Sequence, residues 1–240
     1  MNIALLGYGK MGHAIEEIAM QRGHTIVCKV GIENLEDRTA ENIKKADVVI
    51  EFSSPDSAYE NVMLCLENAV PVVCGSTGWL DKYDQVKKYC EEKGGGLIYA
   101  SNFSVGVNIF FALNRKLAQL MAPHKEYEVD LKEIHHTQKL DAPSGTAITL
   151  AEQVMESISR KKKWVNSPSD KESELVIISE RTDPAPGTHI INYHSDIDDI
   201  CIIHTAHSRK GFATGAVLAA EFLGKKRKGV YTMKDVLGIE

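Results

Sequence analysis

The stretch His135-His136-Thr137-Gln138-Lys139-Leu140-Asp141-Ala142-Pro143-Ser144-Gly145-Thr146-Ala147 brings two imidazoles, an ammonium and a carboxylate up to a helix-opening turn. Imidazole is the side chain whose ordinary pKa lies nearest neutrality, and burial or neighbouring charge tunes a lysine toward it. The first half of the stretch is therefore a set of proton-transfer groups. In the second half, Ser144-Gly145-Thr146 follows Pro143 and precedes an apolar-periodic run, which is the pattern of a helix start. Unpaired N–H groups and the positive end of a helix dipole suit an anion there. Together the two halves are equipped to grip a carboxylate and protonate the carbon or nitrogen beside it. A His-His pair alone would favour a polar loop with a helix cap, and it is the density of this stretch that argues against that reading. A metal site on His135 and His136 is disfavoured, because adjacent positions on a strand point to opposite faces.

A second constellation stands at the start of the chain. Gly7-Tyr8-Gly9-Lys10-Met11-Gly12 follows a short apolar strand and opens a helix, the context that a dinucleotide fingerprint requires. Gly7 permits the tight turn, Gly9 lets the backbone approach a pyrophosphate, and Gly12 lets helix and strand pack closely. Where NAD is preferred, the second strand ends in a carboxylate for the adenosine ribose. Here Gly31 holds that position and Glu33 follows it, so an extended turn must carry Glu33 to the hydroxyls. No arginine immediately follows the strand to mark a 2'-phosphate pocket, although Lys10 is available. The choice between NADH and NADPH stays open.

Both constellations need elements to hold them, and 240 residues suffice for two modest domains. An apolar fraction of 43% and a charged fraction of 25% are those of an ordinary globular enzyme. A net charge of -5 gives no global attraction to nucleic acid or acidic membranes, so an anionic ligand must be held by local basic groups in a pocket. The five cysteines are odd in number and contain no C-x-x-C pair, which argues against a disulfide framework or a zinc site. No apolar run is long enough to span a bilayer and the first residues read as a strand, so the cytoplasm is the expected compartment.

Residues 2–6, 25–30, 47–52, 71–74 and 96–99 read as strands with helical periods between them. Such alternation predicts an α/β fold, a Rossmann-like doubly wound parallel sheet covered on both faces. After Phe103 the texture changes to a helix over 109–121, an alternating strand through Tyr127, Val129 and Leu131, and the His135 loop. Ile148, Ala151, Met155 and Ile158 then form an amphipathic helical stripe. Residues 161–173, with a solvated Lys161-Lys162-Lys163 run, are expected to be a surface loop. Runs at 175–179, 188–194 and 200–206 predict a mostly antiparallel or mixed sheet, hence a second, α+β domain. The small-residue helix from Gly211 is expected to return to the first domain, and Lys225-Lys226-Arg227-Lys228 to be an exposed turn.

With Glu133 included, the first constellation resembles the E-x-H-H-x-x-K-x-D-A-P-S-G-T-A signature of the dihydrodipicolinate reductase family, every fixed position being filled. Gly75-Ser76-Thr77-Gly78 resembles the family's G-T-T-G loop, with serine for one threonine, and Ala100-Ser101-Asn102-Phe103-Ser104-Val105-Gly106-Val107-Asn108 its A-x-N-F-S-V-G-V-N segment. The likeness runs on through Ser208-Arg209, Phe212-Ala213, Gly215-Ala216, Gly229, Tyr231 and Asp235-Val236-Leu237. The resemblance implies an NADH- or NADPH-dependent reductase of 4-hydroxy-2,3,4,5-tetrahydrodipicolinate, a cyclic imine dicarboxylate of lysine biosynthesis through diaminopimelate. It implies that His135 is the general acid/base and Lys139 the proton donor, with His136, Gly145 and Thr146 binding substrate. It also implies that Gly75, Ser76 and Thr77, with Ala100, Ser101, Asn102 and Phe103, border the nicotinamide and ribose, Phe103 walling the ring. Glu51-Phe52-Ser53-Ser54-Pro55 resembles a further cofactor-contacting strand end. Asp141 either positions Lys139 or closes the loop, or is only a turn residue. The expected organisation is a discontinuous dinucleotide-binding domain, 1–105 with 210–240, and a substrate-binding and oligomerisation domain, 106–209, assembled as a homotetramer through the second sheet.

Two other readings remain. Another two-domain nicotinamide dehydrogenase would share the glycine turn but not the D-A-P-S-G-T run. A non-catalytic dinucleotide sensor would need the turn and have no use for paired imidazoles and a lysine.

Overall fold

The computed structural model describes residues 1–239 and divides into two compact units, Met1–Asn108 with the segment from Arg209 onward, and Ile109–Ser208. The first boundary falls at Asn108 rather than 105, inside a helix, because that helix begins earlier than its apolar periodicity suggests.

In the first unit β1 (Asn2–Leu6), α1 (Lys10–Gln21), β2 (Thr25–Val30), α2 (Ala40–Ile43), β3 (Val48–Glu51), α3 (Pro55–Glu67), β4 (Val72–Cys74), α4 (Tyr83–Lys93) and β5 (Gly96–Tyr99) alternate along the chain. The strands form a parallel sheet, extended at its edge by β11 (Gly229–Tyr231) from the C-terminal segment, in the order β11-β5-β4-β3-β1-β2. Period-two alternation sends successive residues to opposite faces. Ile3 and Leu5 of β1 enter one buried cluster with Ile15 and Ala19 of α1, while Ala4 and Leu6 enter another with Val62 and Cys65 of α3. Helices thus cover both faces, as a doubly wound sheet requires.

The second unit holds most of α5 (Val105–Met121), then β6 (Glu128–His135), α6 (Gly145–Ser157), β7 (Lys163–Val165), β8 (Glu174–Arg181), β9 (Gly187–His194) and β10 (Asp199–Ala206). Its sheet runs β10-β9-β6-β8-β7 and is mixed: β6 is antiparallel to β9 and parallel to β8. One face packs on α5 and α6 through Phe110, Ala118, Leu150, Val154, Leu131 and Ile191. The buried face of α6 centres on Ala147, Leu150, Ala151 and Val154, so the stripe read from the sequence is rotated, with Ile148 and Met155 at its margin.

The 161–173 segment departs most from its expectation. Residues 163–165 pair with β8 as an edge strand, and Lys161 is 5% exposed. Its ammonium reaches Glu128 Oε2 at 2.8 Å and the Glu174 carbonyl at 3.1 Å, so partners supplied by distant strands draw this lysine out of water. The C-terminal segment supplies α7 (Lys210–Lys226), β11 (Gly229–Tyr231) and α8 (Met233–Leu237). Ala213, Ala216, Ala219 and Ala220 of α7 bury against the first sheet, and the basic residues 225–228 are exposed.

Candidate active site

The strand order reverses at β1, which pairs with β2 on one side and β3 on the other. Open α/β sheets bind ligands beyond the strand C-termini at such a switch point. A cavity of about 570 Å³ opens there, lined by Gly7, Tyr8 and Gly9 after β1, by Gly31, Glu33 and Asn34 after β2, and by Phe52, Ser53 and Ser54 after β3. Gly7 has φ +98°, and a Cβ on it would lie 2.0 Å from the Phe52 carbonyl oxygen. A Cβ on Gly12 would meet the Gly7 carbonyl at 2.4 Å. Gly9 differs: it is the N-cap of α1 and nothing stands within 4 Å of its Cβ position. Its bare backbone, at a helix start without an acidic residue in the first turn, is shaped for a phosphate.

The other residues expected at the cofactor are placed unevenly. Lys10 is exposed, Met11 packs on a core cluster, and Gly12 is buried beneath the turn. Glu33 does line the cavity: the Asn34 side chain accepts from Gly31 N–H and donates to the Lys29 carbonyl, each at 2.8 Å, holding the extended turn that brings it there. A Cβ on Gly75 would fall 2.2 Å from the Phe52 ring, and buried Ser76 accepts from Ser53 N–H at 2.9 Å, while Thr77 is exposed. Ala100 is half-buried and Ser101 exposed; Asn102 accepts from Ser104 N–H at 2.9 Å at the start of α5. Phe103 does not offer its ring as a wall. It is 2% exposed in the core beside α7, where Gly215 lies against its carbonyl, and Phe52, 5.5 Å away, lines the cavity instead. Arg38 is an addition. It lines the cavity from the turn beyond Glu33, held by Asn61 Oδ1 at 3.1 Å and Glu60 at 3.4 Å, too far along the chain for a search at the strand tip to find it.

In the second unit the inward positions of β6 are Val129, Leu131, Glu133 and His135, an apolar face that turns polar at the strand's C-terminal end. Glu133 has no exposed surface. Its carboxylate accepts from Ser179 Oγ at 2.7 Å, Ser144 N–H at 3.1 Å and Arg181 Nη2 at 3.4 Å. Burial alone would raise this carboxyl, but hydrogen bonds from Ser144 and Ser179 bring it below the usual carboxylate range. Glu133 is therefore an ionised hub. Strand register explains its partners: Glu133 lies opposite His189 on β9 and Ser179 on β8, and His135 opposite Arg181.

His135 is 7% exposed, and its Nδ1 is buried 3.4 Å from Glu133 Oε2 without an aligned partner. Burial lowers its pKa, Glu133 partly offsets this, and Lys139 and Arg181 lower it further, so the ring is neutral at pH 7. His189 stands edge-on to it at 5.1 Å between ring centres, with Nε2 3.2 Å from Ser144 Oγ and 3.7 Å from Glu133 Oε2. Burial, then the neighbouring His135, pushes the His189 pKa down to about 4. By spacing, Glu133, His135 and His189 could reach one cation. The Arg181 charge and the donors already on Glu133 make the cluster an anion hub instead.

His136 follows the strand end, half-buried, and its carbonyl accepts from Lys139 N–H at 3.1 Å. The Lys139 ammonium pairs with Asp141 at 2.6 Å, which holds the Asp141 carboxyl below its ordinary value. Arg181 donates to the carbonyls of Lys139 at 3.3 Å and Asp141 at 2.5 Å, pinning the loop to β8. Ser144 is the N-cap of α6, its Oγ accepting from Ala147 N–H at 3.2 Å. That cap leaves the N–H groups of Gly145 and Thr146 without a protein acceptor among the described residues. Gly145 is exposed with open space around it, as an anion-holding helix start would be. Ser179, Arg181 and His189 carry no local motif. The one trace is the alternation His189, Ile191, Tyr193, which puts His189 in phase with core-facing residues.

Two family descriptions match the chain: dihydrodipicolinate reductase, N-terminus, over residues 1–103, and dihydrodipicolinate reductase, C-terminus, over 106–237. A 4-hydroxy-tetrahydrodipicolinate reductase of Christiangramia forsetii is 52% identical over 99% of this chain and 98% of its own. One from Alkaliphilus oremlandii is 32% identical over 100% and 99%. A solved dipicolinate-bound dihydrodipicolinate reductase from Paenisporosarcina sp. TG-14 superposes with a TM-score of 0.77 at 25% identity, covering 97% of each chain. The chain belongs to the dihydrodipicolinate reductase family.

Proposed function

We propose that this chain is a 4-hydroxy-tetrahydrodipicolinate reductase that uses NADH or NADPH. The observation that carries the reading is the signature run folded as chemistry requires: a buried neutral imidazole at the end of β6, an ion-paired lysine after it, and a bare helix start beyond. The dinucleotide fits the first unit, where Gly7, which tolerates no Cβ, and the open backbone of Gly9 line a cavity of about 570 Å³ at the switch point. When bound, a reduced nicotinamide supplies a hydride to the conjugated bond left after the substrate loses its hydroxyl as water.

The protein's own groups do the rest. Gly145 and Thr146 hold one carboxylate through N–H and hydroxyl contacts, with His136 assisting. Lys139 gives the proton that the product keeps, and Asp141 keeps its ammonium at the loop until substrate competes for it. His135 acts as general acid/base, its Nε2 exchanging a proton with the substrate. Glu33 takes the adenosine ribose hydroxyls and Arg38 a 2'-phosphate when one is present, which accommodates both cofactors. Gly75, Ser76 and Thr77, with the backbone of 100–103, shape the nicotinamide end. The protein acts in the cytoplasm as a homotetramer joined through the second unit's sheet, whose outer face and edge expose Ile200 and Ile203.

The test is a reductase assay with freshly formed aspartate semialdehyde–pyruvate condensate, run with NADH and NADPH in parallel. Substrate-dependent oxidation of either cofactor is expected. Cofactor binding without turnover of any dicarboxylic imine would indicate a sensor instead.

A further inference from the structure

Register places a polar row across the inward face of the second sheet: His204 on β10 opposite His189 on β9, His189 opposite Glu133 on β6, and Glu133 opposite Ser179 on β8. Only its neighbour His135 has a part in the proposed chemistry. A fully buried carboxylate is costly unless hydrogen bonds and opposite charge compensate it, and Ser144, Ser179 and Arg181 do so for Glu133. The geometry points to a positioning role: Glu133 accepts from His135 Nδ1 and fixes the ring as the Nδ1–H tautomer, leaving Nε2 for exchange with substrate.

The two ring nitrogens of His135 face different surroundings. Nδ1 is buried, and the acceptor beside it is Glu133 Oε2 at 3.4 Å. Hydrogen bonds of this kind are often long before substrate binds and tighten afterwards. Nε2 faces Gly187, where a Cβ would stand 3.1 Å away, so the absence of a side chain leaves that nitrogen its room. The side chain keeps 9% exposure, none of it at Nδ1. A neutral imidazole has one donor and one acceptor nitrogen, and the hydrogen bond made by one sets the role of the other. Glu133 is held ready by Ser144, Ser179 and Arg181. The charged and titratable groups facing His135 are Glu133 on its own strand, Arg181 on β8, His189 on β9, and Lys139 and Asp141 on the loop.

This inference rests on the proposed role of His135, but its first test does not. Long-range proton–nitrogen NMR of the 15N-labelled protein near pH 8 is expected to show His135 Nδ1 protonated and Nε2 bare; the opposite tautomer overturns the proposal. In kinetics, Glu133→Gln should lower kcat about 10- to 100-fold, less than loss of the acid–base group itself, with the KM for NADH within about twofold. It should also move the pH limb belonging to His135 downward, because the lost negative charge favoured the imidazolium, and Glu133→Asp should recover part of kcat. A fall in kcat with limb and tautomer unmoved would make Glu133 merely structural. Should the Gln variant fail to fold, Ser179→Ala keeps the carboxylate and removes one donor, and a smaller fall in kcat is expected; no change would count against the proposal. If His135→Ala retains full kcat, it is the functional reading that fails, whatever the tautomer.

Discussion

Gly7, Gly9 and Gly12 serve their turn by the side chains they lack, whereas Glu133, His135 and His189 serve theirs by side chains buried at the end of a strand. In the first unit the limits are steric and local: a Cβ at Gly7 or Gly12 would fall within 2.4 Å of a carbonyl oxygen. In the second they are electrostatic and assembled across strands, Ser179 reaching Glu133 from 46 residues away. A site made of absent atoms is rigid as soon as its turn forms. One made of buried polar groups depends on every partner being in place. The two should therefore fail differently.

The largest effect is expected at the proton-transfer end. His135→Ala should cut kcat about 10²- to 10⁴-fold, the range of general acid–base catalysis. Steady-state kinetics at saturating cofactor measures this, and an undiminished kcat would remove the assigned role.

Next comes acid sensitivity. The folded protein holds His189 at about 4, below its ordinary value, so the unfolded chain binds the extra proton first. This stability is present above roughly pH 6.5 and lost as pH falls toward the folded value, at most on the order of 3 kcal/mol. Glu133 and His135, both lowered, act with the same sign. Denaturation from pH 7.5 to pH 4.5 should show the decline, and His189→Gln should flatten it. An equal slope in the variant would mean that His189 is not neutral in the fold.

On the steric side, Gly9→Ala should fold with a melting temperature close to wild type, because space surrounds the new Cβ, and yet raise the KM for NADH about tenfold or more by obstructing the phosphate. Gly7→Ala, by contrast, should lower the melting temperature itself. The smallest effect concerns Arg38. Its replacement by alanine should raise the KM for NADPH about five- to tenfold while barely moving that for NADH, as expected for one charge-assisted contact to a phosphate. Equal changes for both cofactors would indicate a loosened cavity instead.

What could be read from the sequence follows the same division. The β1–α1 turn was legible because its steric demand fixes residue types at fixed spacing, and β1, β2, β5 and the mixed second sheet emerged from periodicity. The His135 run was legible for its density of titratable groups. Ser179, Arg181 and His189 were not, because strand register, which no local pattern encodes, brings them to Glu133. Lys161 looked solvated for the same reason: its partners Glu128 and Glu174 belong to other strands. Phe103 was misplaced because its motif position does not say which way the ring turns, and close packing of α7 settles that. Arg38 escaped because an extended turn separates it from β2.

The division of labour between the two units is tested most directly by titrating NADH, followed by its fluorescence, onto Gly9→Ala and His135→Ala side by side with wild type. Weakened binding is expected for Gly9→Ala and wild-type affinity for His135→Ala. Lost affinity in His135→Ala with Gly9→Ala unaffected would contradict it.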